Sequence, residues 1–224
     1  MRITKKGSVK KCVKYLRRPA LAACVLIFQL AGCGAAELED RCFPMLAAVD
    51  YDTEYAFAYG FPELSQKENT DVDASKVDAA TTEGVSFPAA VSAFHQQLDK
   101  QADCNHLKVL VLGEELFGQR QALFDMFKSL RESELFPRNI YVCVTKNLDE
   151  LWETEGSLPT DLGSYLETFL LNHEKEHDSK LVTLGMILDE TENHSRLLYL
   201  PNIMVEEGAV CWETDRELDM RTEG

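Results

Sequence analysis

HLKVLVLGEEL, residues 106–116, reads as a dense apolar strand that stops at Gly113 and turns into the start of a helix. Working outward, QRQALFDMFKSLRESELF (119–136) repeats Leu123, Phe124, Phe127 and Leu130 on one helical face. RNIYVCVTKN (138–147) is a second apolar strand, and LDELWE (148–153) a short helix. This strand–helix–strand–helix rhythm predicts an α/β fold, a mixed sheet flanked by helices.

On the N-terminal side, PMLAAVD (44–50) and TEYAFAYGF (53–61) read as two strands joined by a polar turn, DYD. SFPAAVSAFHQQLDKQA (86–102) places Phe87, Val91, Phe94 and Leu98 at spacings of four and three, the mark of an amphipathic helix. Between them, residues 64–84 are polar, acidic and without apolar period, and read as an insert. Asp71, Asp73 and Asp78 do not make it a calcium loop, which needs glycine at its sixth position and glutamate at its twelfth. On the C-terminal side, DLGSYLETFLLNH (161–173) reads as a helix, and LVTLGMILD (181–189) and GAVCWE (208–213) as later strands, the last closing an edge.

The first 32 residues hold eight basic side chains and no acidic one, followed after Arg18 by the apolar run of LAACVLIFQLAGC (21–33). That run is shorter than the roughly 20 residues a spanning helix needs. A positive flank, a short apolar core and small residues at a cleavage point describe an export signal. Leu30-Ala31-Gly32-Cys33 resembles a bacterial lipobox, in which the cysteine receives a diacylglycerol and the signal is cut before it. The expected organisation is therefore a signal peptide at 1–32, a lipid-anchored tether at 33–43, an α/β domain at 44–213 and an acidic tail at 214–224.

Eight of the 23 basic residues leave with the signal, so 15 remain against 38 acidic ones, a net charge of about -23. Such a surface repels nucleic acid and anionic headgroups, which excludes nucleic-acid binding and leaves the anchoring to lipid on Cys33. Beyond Cys33 stand Cys42, Cys104, Cys143 and Cys211, with no CxxC spacing; their disulfide state is open from the sequence.

The sharpest chemical motif is HEKEH (173–177), which matches H-E-x-x-H. On a helix His173 and His177 stand one turn apart and suit zinc, with Glu174 as general base and Glu190 or His194 as third ligand. The intervening Lys175 and Glu176, and Asp178 after them, favour a solvated helix end instead. A membrane-tethered zinc metalloprotease is the alternative reading. Glu114 and Glu115 follow a strand end, a frequent functional position, yet carboxylates there also cap a helix. LGEELFG lacks phosphate-loop spacing, Ser157 and Ser164 have no nucleophile-elbow context, and His106 is as well explained by structure as by catalysis. A two-lobed solute-binding cleft needs a longer chain.

Taken in order, these motifs resemble the Ger(x)C family, the C subunit of bacterial spore germinant receptors, over most of residues 30–213. Glu37, Leu38, Asp40 and Arg41 stand where the family has its post-lipobox stretch, followed by AAVD (47–50). His106, Val109, Gly113 and Glu114 match its His-leading strand, and GAVCW (208–212) its late strand. Gly34 and Ala35 replace the family's Trp-Asp pair, and members usually continue into further α/β domains. The resemblance implies the fold of the family's N-terminal domain and a non-enzymatic subunit without cofactor, metal or catalytic residue. It also implies partnership with the integral membrane A and B subunits, on the outer face of the spore inner membrane, in nutrient-triggered germination.

Overall fold

The computed structural model describes residues 40–62, 81–174, 176, 180–193 and 197–219. Cys33, the signal segment, His177 and His194 lie outside them. In chain order the strands are β1 (Arg41–Cys42), β2 (Leu46–Tyr51), β3 (Tyr55–Gly60), β4 (Thr82–Gly84), β5 (Gln101–Ala102), β6 (Val109–Gly113), β7 (Tyr141–Thr145), β8 (Leu197–Leu200), β9 (Asn202–Glu206), β10 (Ala209–Trp212) and β11 (Arg216–Asp219). The helices are α1 (Phe87–Gln97), α2 (Glu114–Gly118), α3 (Arg120–Ser133), α4 (Leu148–Glu153), α5 (Leu162–Glu174) and α6 (Leu184–Asn193).

Seven strands form the main sheet in the order β10-β9-β7-β6-β2-β3-β4. β2, β6, β7 and β9 run parallel, while β3, β4 and β10 add antiparallel neighbours at the two sides. This is the α/β architecture with a mixed sheet that the strand–helix alternation predicts. All five residues of β6 are buried, VLVLG without a polar break, because helices cover both faces of the sheet there.

The alternation of side chains sorts the core into two layers. On one face Val49, Phe57, Tyr59, Leu110, Leu112, Val142 and Val144 meet α1, α3 and α6. On the other Leu46, Ala48, Val109, Val111 and Cys143 meet α4 and α5. Helix starts follow local chemistry. Ser86 Oγ accepts from the Ala89 amide at 3.4 Å, Asn147 Oδ1 from Asp149 and Glu150 at 3.0 and 3.2 Å, and Asp161 Oδ1 from Ser164 at 2.8 Å. α3 stops where Glu134 turns left-handed, φ 49°.

Four expectations are corrected. LVTLGMILD is not a strand: only Thr183 bridges to Tyr141, and a helix begins at Leu184. Leu184, Ile187 and Leu188 are buried at helical spacing, and Thr183 Oγ1 accepts from the Met186 amide at 3.4 Å. The acidic tail does not begin at 214, because Arg216–Asp219 pairs antiparallel with β8. The polar insert does not reach 84, because Thr82–Gly84 adds an edge strand to β3. Nor does the tether extend to 43, since Arg41 and Cys42 pair with β5. No described helix is long and apolar enough to cross a membrane.

Candidate functional site

The carboxyl ends of β2, β6 and β7 converge, and a cleft opens beside them, the position that open α/β sheets commonly offer to ligands and partners. Asp50 ends the core-facing run of β2. Its Oδ1 accepts from the amides of Tyr51 and Leu116, each at 2.9 Å, so one carboxylate joins the end of β2 to the first turn of α2. A side chain at Gly113 would have to displace the Asp50 carboxylate from these two amides. Glu114, in the first turn of α2, pairs with Arg216 at 2.6 Å, and the Arg216 guanidinium also lies over the Phe117 ring, 5.4 Å from its centroid.

Two contiguous hollows share Asp50 and Ala56. One, of about 190 Å³, has a floor of Ala48, Ala56 and Ala58 with Trp152 as a wall and Lys146 and Asn147 at its lip. The other, of about 440 Å³, is lined largely by carboxylates, among them Asp52, Glu54, Glu83 and Glu115. Both are open to solvent. Neither is lined by a histidine, cysteine or serine among the described residues. Lys146 is engaged with Glu213 at 2.8 Å, and Glu213 also accepts from Asn202 at 2.6 Å.

Among the described residues, His106, His173, Glu174 and Glu190 line neither hollow. His173 and Glu174 end α5. His173 Nδ1 lies 2.8 Å from the Phe169 carbonyl, and its ring 4.2 Å from the Phe169 ring. Glu174 Oε1 accepts from the Leu181 amide at 3.2 Å. Glu190 is buried on α6. Among the described residues no three His, Cys, Asp or Glu side chains are grouped to hold a metal ion. His106 packs edge-on against Phe43, centroids 5.1 Å apart, a structural contact.

Two pairings at these strand ends have no local signal in the sequence. Glu114 has its partner on β11, 102 positions later, in a segment that reads as tail. Asp50 stood out only as the end of AAVD; its amide partner is 66 positions away. A carboxylate directly after a core-facing strand was the one available signal.

Residues 34–205 of the chain match the family model described as the spore germination protein N-terminal domain. No curated protein and no solved structure matches the chain.

Proposed function

From the premise that the chain belongs to the Ger(x)C family of spore germination proteins, whose N-terminal domain it carries, we propose that it is a non-enzymatic, lipid-anchored subunit of a germinant receptor complex. The germination-related role follows from the family. The finer reading adds a diacylglyceryl group on Cys33, a place on the outer face of the spore inner membrane, and contact with the integral membrane A and B subunits.

The observation that carries this reading is the family match over residues 34–205. The lipobox, Leu30 to Cys33, lies immediately before the matched segment. Two acyl chains at Cys33 give stable anchoring where one would be marginal. Anchoring also raises the domain's effective concentration beside membrane partners. The acidic cleft, formed by Asp50 and its neighbours, is the surface best suited to meet them.

Spores lacking the chain test the reading. They should lose the optical-density fall that follows at least one nutrient trigger, and the wild-type chain should restore it. Cys33→Ser should restore it poorly, and should abolish labelling by an alkyne fatty acid. Unchanged nutrient responses in the deletion strain would count against a receptor role. Zinc found at one equivalent, with activity lost on Glu174→Gln, would favour the metalloprotease reading instead.

A further inference from the structure

The two hollows beside Asp50 differ in chemistry but adjoin each other. In the β2–β3 register Ala48 stands opposite Ala58 and Asp50 opposite Ala56, so this face of the strand pair carries small side chains up to the strand end. Trp152 of α4 comes down over Gly60, further along β3, its ring carbons 3.1 and 3.2 Å from where a β-carbon would stand there. Between that indole and Asp50 the alanines form a floor that no described side chain fills, with Leu148 at its side. A cavity of about 150 Å³ takes up a benzene ring. The smaller hollow, about 190 Å³, therefore has room for one aliphatic or aromatic side chain.

Its neighbour is set by charge. Asp50, Asp52, Glu54, Glu83 and Glu115 line it, with no lysine, arginine or histidine among the described residues of its wall. Elsewhere Asp103 is matched by Arg41, Glu167 by Lys108, Asp189 by Arg138, Glu213 by Lys146 and Glu114 by Arg216. Asp52, Glu54, Glu83 and Glu115 have no such cation among the described residues. Like charges left together in a concave wall favour a cation that comes from outside. Carboxylates alone would mark any acidic surface; here an apolar hollow adjoins them.

We propose that the two hollows form one docking groove for a segment of a partner protein that presents an apolar side chain next to lysine or arginine. The apolar side chain enters between the alanines and Trp152, and the cation lies among Asp52, Glu54, Glu83 and Glu115. A second copy of the chain is disfavoured as occupant by its own net charge of about -23, and a membrane surface by its anionic headgroups. The proposal rests on the reading that this domain joins a membrane complex, which supplies the partner. The chemistry of the groove is tested apart from that reading.

The probe is a fluorescein-labelled peptide with one leucine among lysines and a glycine at each end. Binding to the full-length chain in detergent is read by anisotropy. Replacing the leucine by glycine should weaken it about tenfold, as loss of one buried aliphatic side chain does. Ala56→Val, which narrows the shared floor, should erase that dependence on leucine. Glu83→Gln with Glu115→Gln, both exposed, should weaken the lysine peptide roughly fivefold. Glu206→Gln with Glu207→Gln, on the exposed turn at the other end of the sheet, should leave it unchanged. Equal loss in the two double variants, or no effect of the leucine or of Ala56→Val, would reduce binding to general attraction between opposite charges and overturn the groove. As bait from spore membranes, the chain carrying Ala56→Val, Glu83→Gln and Glu115→Gln should recover its polytopic partners roughly fivefold less well than wild type. Equal recovery would overturn the groove and leave the receptor reading standing. If wild type recovers no partner while the peptide pattern holds, the receptor reading falls and the groove stands.

Discussion

The two faces of the sheet around β2 and β3 are built on opposite rules. In this register Val49 and Phe57 stand side by side on one face, and Ala48 and Ala58 on the other. The first face is an aromatic web: Phe57 lies 4.7 Å from Tyr59 and 5.6 Å from Phe94, all edge-on, with Phe87 and Phe136 closing around them. Such contacts add about 0.5–1.5 kcal/mol each beyond area burial. The second face carries methyl groups and Gly60 under Trp152, and it ends in the open cleft at Asp50. One side of the same two strands holds the domain together, and the other leaves room.

If that contrast is right, the largest effect comes from the crowded side. Phe57→Ala should cost about 3–5 kcal/mol, because the fully buried ring leaves a cavity that its neighbours cannot close. Chemical denaturation would measure it, and a loss under about 1 kcal/mol would break the comparison. Next is Gly163→Ala, where α5 touches the chain just before β2: a methyl there would sit 2.5 Å from the Met45 carbonyl carbon. Backbone cannot yield as a side chain does, and a loss of about 1–3 kcal/mol is expected in the same assay.

Tyr55 sharpens the contrast through pH. Its hydroxyl donates to the Ala122 carbonyl at 2.7 Å, and burial pushes its pKa up to about 12. An unfolded tyrosine ionises near pH 10, so between roughly pH 10 and 12 the folded chain keeps a proton that the unfolded chain has lost. This contribution to stability is intact below about pH 10 and falls as pH rises through that window. Tyr55→Phe should cost about 1 kcal/mol at neutral pH and flatten the alkaline decline seen in Tm against pH. The smallest effect belongs to the open face: Ala56→Val, at the cleft floor, should shift stability by no more than about 0.5 kcal/mol.

The crowded face was the legible one. Phe87, Val91 and Phe94 announced α1 through their spacing, and the unbroken apolar run at 109–112 announced a buried strand. Local signals sufficed because each element's pattern matched its final environment. LVTLGMILD misled for the converse reason. Leu181 and Val182 do lie against β7, the Val182 carbonyl accepting from Val142 at 3.0 Å, and the helix only starts two residues on. β8 and β9 were missed although LLYL and NIMV carry strand residues, since Pro201 interrupts them. β11 reads as tail because RELD has little apolar content; what holds it is pairing with β8 and the distant Glu114. The cleft was the least legible part, being made of strand ends that only the sheet order brings together.

The central claim is that this domain works as one member of a membrane complex. Affinity purification of the tagged full-length chain from detergent-solubilised spore membranes, with partners identified by mass spectrometry, tests it most directly. The account predicts two polytopic membrane proteins in stable proportion, depleted when Cys33→Ser is used as bait. Efficient recovery of the bait alone, in both forms, would contradict it.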